Sequence, residues 1–167
     1  SGPFGYTGAG FAILLKNKKS SKKFGVKAKS AVLKPRCRLM FGLKNKNYFS
    51  SSMDSSDGLS TTLNEMSCQS KKKFVITTMP SENDVFDFAD SNKLNPNELI
   101  LNSGEEYEIV ATTSTSNLPS IRKYAKKHRI KLYEIGYVAK GRGVFYKKNR
   151  KLIRIKDGGW QHLRNHA

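Results

Sequence analysis

The strongest constraint on the fold is a strand–helix–strand pattern in the second half of the chain. "EEYEIVATT" (105–113) and "KLYEIGYVAK" (131–140) are typical of strands, and "NLPSIRKYAKKHR" (117–129) between them is typical of a helix. The apolar face of that helix consists of Leu118, Ile121, Ala125 and His128. Because two parallel strands joined by a helix form a right-handed crossover, the pattern predicts one mixed sheet with helices packed on it.

Three other segments have clear patterns. "KFVITTM" (73–79) is predicted to be a strand, and "GVFYKKNRKLIRI" (143–155) a hairpin with its turn at Lys148 and Asn149. "TGAGFAILLK" (7–16) is predicted to be a short buried helix. The predicted fold class is therefore α/β, as an α+β two-layer sandwich in which helices pack on a mixed sheet.

Helix boundaries come from capping signals. Ser81 is expected to cap the amphipathic segment "SENDVFDFADSN" (81–92), and Pro35 is well placed to start a helix in "PRCRLMFGLK" (35–44). By contrast, "NKKSSKKFGVKAK" (17–29) is polar and lysine-rich without periodicity, which predicts a loop or mobile linker.

The length of 167 residues is that of one domain with a real core. The opening "SGPFGYTGAGF" (1–11) enters a helix pattern with no capped start and no preceding strand, as in the middle of a longer protein. We therefore expect a junction, helix and lysine-rich loop over 1–29 and the main α/β body over 30–167. With no apolar run near the roughly 20 residues of a membrane span and no signal-peptide pattern, the expected location is cytoplasmic, without membrane contact.

The charge is strongly basic. Lysine and arginine number 31 against 13 acidic residues, a net charge of +18, which favours anionic partners. A solvated lysine-rich surface explains the same charge, because the basic residues are spread along the whole chain. The aromatic residues do not alternate with basic ones as in RNA-binding sheets, which argues against a nucleic-acid module. Cys37 and Cys68 lack metal-ligand spacing and are expected to be free, structural thiols.

Acidic residues are scarce, so the motif "MDSSDG" (53–58) is informative. A helical pattern follows it, with apolar positions Leu59, Leu63 and Met66. Asp54 and Asp57 are therefore predicted on a strand-to-helix turn, where two carboxylates can bind a divalent cation and the hydroxyls of Ser55 and Ser56 can bond a phosphate. Ordinary turn and helix-cap chemistry is the alternative.

Two later motifs also allow two interpretations. Glu105 and Glu106 in "NSGEEYE" (102–108) lie at the start of a strand, where they can serve a functional loop or protect a strand edge. "KDGGWQH" (156–162) contains a Gly-Gly turn and the single tryptophan, Trp160, which can anchor a core or stack on a ligand.

The segments "SGPFGYTGAGF", "MDSSDGL", "LNSGEEYEIVAT" and "IGYVAKGRGVFYKKNRKLIRIKDGGWQH", in this order, resemble the C-terminal half of thiamine-monophosphate kinases. These kinases belong to a superfamily that also includes aminoimidazole ribonucleotide synthetase and selenophosphate synthetase. The resemblance covers nearly the whole chain, and its most specific part is the family motif "MDxSDGL". The chain departs from the family pattern at Ser103, which replaces one glycine of a pair, at Glu106, which replaces aspartate, and at Leu163, which replaces an aromatic residue.

The resemblance implies an enzyme that transfers the terminal phosphoryl group of ATP to thiamine monophosphate. It implies that Asp54 and Asp57 hold Mg²⁺, that Ser56 contacts the nucleotide and that Glu105 faces the thiamine substrate. Phosphoryl transfer suits such residues, because positioned metals that neutralise phosphate charge do most of the chemistry.

The resemblance further implies an aromatic substrate contact near the C-terminus, at Asp157 or Trp160. It also implies an absent N-terminal domain that supplies further metal-binding aspartates, much of the nucleotide site and the interface of a homodimer. There are two alternative functions. One is a related superfamily member acting on another small phosphate or acid, and the other is a basic nucleic-acid-binding module.

Overall fold

The computed structural model describes residues 1–159. The helices are α1 (Tyr6–Lys16), α2 (Lys22–Leu33), α3 (Leu39–Asn45), α4 (Leu59–Ser70), α5 (Asn83–Ser91), α6 (Pro96–Leu101) and α7 (Leu118–Lys127), with a 3₁₀ turn over Lys46–Tyr48. The strands are β1 (Ser51–Ser55), β2 (Lys73–Ile76), β3 (Glu108–Thr112), β4 (Gly136–Ala139), β5 (Gly143–Lys148) and β6 (Lys151–Arg154).

The strands form two sheets. β1 and β3 pair antiparallel, from Ser51 opposite Thr112 to Ser55 opposite Glu108. The second sheet has the order β4-β2-β5-β6, in which β2 is antiparallel to β4 and parallel to β5. This mixed sheet, with helices packed against it, confirms the predicted α/β class. The β5–β6 hairpin is also confirmed, with Asn149 at φ 55° in its two-residue turn.

One main core joins the helices to the four-stranded sheet. Among its fully buried side chains are Leu59 and Leu63 of α4, Val85 of α5, Ile100 of α6 and Val144 of β5. Each such side chain contributes about 1.5–3 kcal/mol by leaving water. A smaller cluster packs α3 against α7 through Phe41, Ile121 and Ala125.

The predicted crossover is wrong. β3 pairs with β1 and β4 pairs with β2, so the two strands that flank α7 belong to different sheets. The helix itself is confirmed, and Ile121 and Ala125 on its apolar face are buried. His128 ends the helix exposed, with its ring stacked on Tyr124 at 4.2 Å between centroids.

The predicted lysine-rich loop is also wrong, because residues 22–29 belong to α2. Ser21 caps this helix by accepting a hydrogen bond from the Phe24 N–H at 3.3 Å. Phe24 and Ala28 are part of the main core, so a boundary between residues 29 and 30 would cut a packed helix. The predicted helix over 7–16 and the predicted strand over 73–79 are confirmed as α1 and β2.

Two predicted helix starts differ from the structure. α5 begins at Asn83 without a side-chain cap, and the Ser81 hydroxyl instead donates to the Phe4 carbonyl at 2.7 Å. α3 begins four residues after Pro35, at Leu39.

Two further properties complete the fold. Both cysteines are free, as predicted, but they lie on the surface and not in the core. Within residues 1–159, no helix has the length and apolarity that a membrane crossing requires.

Candidate functional site

Three loops meet at the start of α4. They are the β1–α4 turn (56–58), the α6–β3 loop (102–107) and the segment that follows β6 (155–159). The Glu105 N–H donates to the Ser56 carbonyl at 2.6 Å, and the Tyr107 N–H donates to the Ser55 carbonyl at 3.0 Å. These bonds extend the β1–β3 pairing and fix the second loop against the first.

Two glycines allow these backbones to approach closely. A Cβ atom on Gly104 would lie 2.6 Å from the Ser56 carbonyl oxygen, and one on Gly159 would lie 2.1 Å from the Asp57 carbonyl oxygen. Carbon atoms do not approach oxygen so closely, so any side chain at these positions would separate the loops.

Side chains tie the third loop to α4. The Thr61 hydroxyl donates to Asp157 Oδ1 at 2.6 Å, and the Gly158 N–H donates to the Ser60 hydroxyl oxygen at 3.2 Å. The Ser60 hydroxyl in turn donates to Asn102 Oδ1 at 2.8 Å. Ser60 therefore links all three loops at the first turn of α4.

Three of the predicted acidic residues lie on β1, on the turn that follows it and on the loop that packs against that turn. Asp54 and Glu105 are exposed and Asp57 is partly exposed. The Tyr107 hydroxyl donates to Glu105 Oε2 at 2.6 Å, and this bond raises the pKa of Tyr107, with smaller contributions from burial and from the charges of Glu105, Asp54 and Asp57. The site is therefore a locally anionic, solvent-facing surface on a basic protein.

The backbone of the second loop is strained where it contributes to this site. Glu105 has φ 66° and Tyr107 has φ 51°, left-handed conformations that cost non-glycine residues free energy. The two backbone hydrogen bonds to β1 and its turn hold these conformations. Strain of this kind concentrates at functional sites.

The two serines of "MDSSDG" differ. Ser55 is fully buried, and its hydroxyl has no hydrogen-bond partner within residues 1–159. The predicted phosphate contact by Ser55 is therefore wrong. Ser56 is partly exposed beside the acidic residues, on the face where a nucleotide contact was expected.

The carboxylates of Asp54 and Asp57 fit a metal ion that takes its other ligands from the substrate. Residues 1–159 contain no group of three or more histidine, cysteine or acidic side chains arranged to bind a metal ion. Asp54 and Asp57 offer two hard carboxylates at most, and Mg²⁺ is commonly bound by one or two carboxylates together with phosphate oxygens and water.

Glu106 and Glu108, the two other glutamates of the "NSGEEYE" motif (102–108), have structural contacts. The Glu106 carboxylate accepts the N–H groups of Gly5 at 2.6 Å and Thr7 at 3.4 Å, at the positive end of α1. Burial raises the pKa of Glu106 to about 7 despite these bonds. Glu108 is buried and receives a bidentate contact from the Arg38 guanidinium, at 2.7 Å from one of its nitrogens to Oε1.

The expected C-terminal contact is described only in part. Asp157 Oδ1 accepts hydrogen bonds from the Thr61 hydroxyl and from the Gly159 N–H. Trp160 lies outside the described residues. Sequence reasoning missed Tyr107, Thr61 and Asn102. Only Tyr107 carried a signal, because it stands inside the "EEYE" motif.

Helices packed on a two-stranded antiparallel sheet and a four-stranded mixed sheet, with three loops that meet at a helix start, define an α/β domain. A family model described as "AIR synthase related protein, C-terminal domain" matches residues 1–148, and the chain belongs to this family.

Curated relatives and a solved structure are similar over most of the chain. A thiamine-monophosphate kinase of Nitrosopumilus maritimus (strain SCM1) is 54% identical over 98% of this chain and 52% of its own length. A thiamine-monophosphate kinase of Pyrococcus horikoshii is 32% identical over 91% of this chain and 45% of its own length. A structure described as "AaThiL complexed with AMPPCP and TMP" is 28% identical with a TM-score of 0.77, over 98% of this chain and 50% of that one. The chain spans about half the length of the curated relatives it matches.

Proposed function

We propose that this chain is the C-terminal domain of a kinase that transfers the terminal phosphoryl group of ATP to thiamine monophosphate. The observation that carries the proposal is the contact between the Asp57-containing turn and the Glu105-containing loop, through the Glu105 N–H and the Ser56 carbonyl at 2.6 Å and the Tyr107 N–H and the Ser55 carbonyl at 3.0 Å. The similarity to thiamine-monophosphate kinases, and to a relative described with AMPPCP and TMP, supports the same reaction.

Asp54 and Asp57 would hold Mg²⁺ on the nucleotide side. When bound, the metal would neutralise the phosphate charge that develops during transfer. The role of the two residues is to orient their carboxylates from a strand and a tight turn, with the Asp57 backbone fixed against Gly159. Ser56 would donate its partly exposed hydroxyl to the nucleotide.

Glu105 would lie on the substrate side. Its carboxylate is exposed, its backbone is fixed by the bond to Ser56, and Tyr107 orients one carboxylate oxygen. Asp157 and Trp160 would supply the C-terminal substrate contact, with Asp157 acting also through its bond to Thr61.

The remaining parts of the proposal concern the whole protein. An N-terminal domain would supply further metal ligands and much of the nucleotide site, and the protein would work as a homodimer in the cytoplasm. Two carboxylates do not complete the coordination of a magnesium ion, which agrees with a site shared with other chain segments.

The test is an assay of the full-length protein with ATP, thiamine monophosphate and Mg²⁺, in which thiamine diphosphate is measured by chromatography. We expect stoichiometric formation of thiamine diphosphate and ADP. ATP turnover with no thiamine diphosphate, but with another small phosphate or acid as acceptor, would assign the protein to another member of the superfamily.

A further inference from the structure

The α6–β3 loop (102–107) is anchored on two sides. On one side, the N–H groups of Glu105 and Tyr107 donate to carbonyls of β1 and its turn. On the other side, the Glu106 side chain faces the start of α1, where its Oε1 atom accepts the N–H groups of Gly5 at 2.6 Å and Thr7 at 3.4 Å. Glu106 therefore ties the loop to a helix at the beginning of the chain.

The start of α1 depends on this carboxylate. Gly5 precedes the helix with φ 100° and provides no side-chain cap, and the first turn of α1 contains no acidic residue. The first N–H groups of a helix have no partner within the helix, and they favour a negative charge nearby. Glu106 supplies the acceptor and the carboxylate from the loop, so the helix start and the loop stabilise each other.

The start of α1 is itself fixed to the core. The Phe4 N–H donates to the Pro80 carbonyl at 2.6 Å, and the Phe4 carbonyl accepts the Ser81 hydroxyl at 2.7 Å. The Phe4 side chain is part of the main core. A Cβ atom on Gly8 would lie 2.3 Å from Ser103 Oγ, so the first turn of α1 packs directly on the loop. An anchor to this helix start therefore fixes the loop relative to the core.

Glu106 lies between the two strained residues of the loop, Glu105 at φ 66° and Tyr107 at φ 51°. Residues keep such conformations only where the surrounding structure holds them. The bonds to β1 and its turn hold the backbone of Glu105 and Tyr107, and the bonds to α1 hold the residue between them. Without the α1 bonds, the peptide units on both sides of Glu106 could rotate, and the exposed Glu105 carboxylate would lose its fixed direction.

We propose that Glu106 is a positioning residue, which anchors the α6–β3 loop to α1 and thereby holds Glu105 in the orientation that binds the substrate. This inference rests on the proposed function, in which Glu105 faces thiamine monophosphate. Glu106 acts through Glu105, because its own carboxylate faces the N-terminus of α1.

Steady-state kinetics of the full-length protein test the proposal. Glu106→Ala removes the acceptor for Gly5 and Thr7, and we expect the KM for thiamine monophosphate to rise at least about tenfold, because hydrogen bonds to a carboxylate are strong. The kcat and the KM for ATP should change by less than about twofold, since Glu105 is expected to act on the binding of one substrate. Glu106→Gln keeps an acceptor oxygen without the charge, and its KM for thiamine monophosphate should stay within about twofold of the parent value.

Ser81→Ala provides the matched control, because it removes the hydrogen bond to the Phe4 carbonyl at the same end of α1 and leaves the Glu106 bonds in place. It should lower the melting temperature and leave the KM for thiamine monophosphate at the parent value. The proposal is overturned if Glu106→Ala keeps the parental KM, if Glu106→Gln is impaired as much as Glu106→Ala, or if Ser81→Ala raises the KM equally.

Hydrogen exchange of the unmodified full-length protein tests the anchor even if Glu106→Ala fails to fold. If α1 and the loop form one unit, the amides of Gly5, Glu105 and Tyr107 should open together, with protection factors that agree within about threefold. Protection of Gly5 more than about tenfold below that of Glu105 would overturn the proposal. A full-length protein that forms no thiamine diphosphate would instead overturn the proposed function, and the exchange measurement does not depend on that activity.

Discussion

Asp57 lies in the turn between β1 and α4, partly exposed, with its carbonyl oxygen facing Gly159. Asparagine keeps the size and one acceptor oxygen of this side chain but removes its charge. In the full-length enzyme we expect Asp57→Asn to melt like the parent and to lose at least about tenfold in rate, a barrier increase of about 1.4 kcal/mol. Rates at increasing Mg²⁺ should show partial rescue.

The control for Asp57→Asn is Asp90→Asn, which removes an exposed carboxylate from α5. It should change neither the rate nor the melting temperature. Parental turnover by Asp57→Asn would mean that this carboxylate is only part of a turn, and the metal role would have to be abandoned.

Glu105 is predicted to distinguish the two substrates. Because our proposal places its exposed carboxylate on the thiamine side, Glu105→Gln should raise the KM for thiamine monophosphate more than the KM for ATP. Steady-state kinetics with each substrate varied in turn measure both constants. The exposed Glu65→Gln on α4 serves as the control and should leave both unchanged. Equal losses for ATP and thiamine monophosphate would contradict the assignment of Glu105.

Glu106 makes stability depend on pH. Its pKa is about 7 in the folded protein, above the ordinary glutamate value of 4.5, because burial disfavours the charged form. The folded state therefore binds the proton more tightly than the unfolded state, and this contribution to stability decreases as the pH rises from about 4.5 to 7. Glutamine keeps an acceptor oxygen for Gly5 without the charge. We expect Glu106→Gln to match the parent near pH 4.5 and to exceed it by up to about 3 kcal/mol above pH 7.

Denaturant unfolding of both proteins across this pH range measures the effect. A Glu106→Gln variant that is less stable than the parent above pH 7 would show that the negative charge stabilises the N-terminus of α1 more than burial penalises it.

The sequence predicted acidic residues for the site but not their surroundings. Asp54, Asp57 and Glu105 were predicted from local motifs, and the loop of Glu105 contacts the turn of Asp57 through the Glu105 N–H and the Ser56 carbonyl. Thr61 and Asn102 join the site through contacts between segments far apart in sequence, which no local pattern reports. The error at Ser55 was avoidable, because side chains alternate along a strand and Asp54 faces solvent.

At the level of elements, α2 shows why a packed helix escaped prediction. Its buried positions are Phe24, Gly25 and Ala28, so a single large apolar residue marks its inner face. It approaches α1 so closely that a Cβ atom on Gly10 would lie 2.4 Å from the Ala28 carbonyl oxygen. Contacts between small residues give little hydrophobic periodicity, and the lysines around them resemble a linker.

The packing of α2 gives a direct test of this correction. The Phe24 ring stacks on Phe88 of α5 at 4.9 Å between centroids and contacts Tyr6 of α1. Removing it should cost about 3–5 kcal/mol of stability, the usual loss for Phe→Ala in a core. Val26→Ala on the exposed face of the same helix should cost less than about 0.5 kcal/mol. Similar unfolding midpoints for Phe24→Ala and Val26→Ala would mean that this segment is a linker after all.

The prediction of a crossover between β3 and β4 was wrong for a different reason. The patterns of β3, α7 and β4 were recognised correctly, but the pairing partner of each strand lies elsewhere in the sequence. Local periodicity indicates which face of an element is buried. The sheet that β3 or β4 joins depends on its partner strand, β1 or β2, which lies more than 50 residues earlier in the sequence. The β5–β6 hairpin was predicted because its pairing is local.

At the scale of the whole molecule, a net charge of +18 surrounds an anionic site. Both proposed substrates carry phosphates, so the basic surface would attract them over long distances while the acidic residues bind the metal that accompanies ATP. The charge and the acidic motifs are therefore compatible with one function. An exposed polyanion-binding surface is not needed to explain them.

The last prediction concerns the 167-residue chain on its own. Among its described residues, Asp54 and Asp57 offer two carboxylates for Mg²⁺, and in our proposal an N-terminal domain supplies the further metal ligands. Phosphoryl transfer depends on positioned metals and phosphate contacts from several segments, so most of the catalytic groups would be absent. We expect no thiamine diphosphate above background from the purified chain, at concentrations where the full-length protein turns over readily. Circular dichroism and size-exclusion chromatography confirm first that the chain is folded, and adding the missing part of the protein in trans is the positive control. Catalysis by the folded 167-residue chain alone would mean that the site described here is complete without further segments.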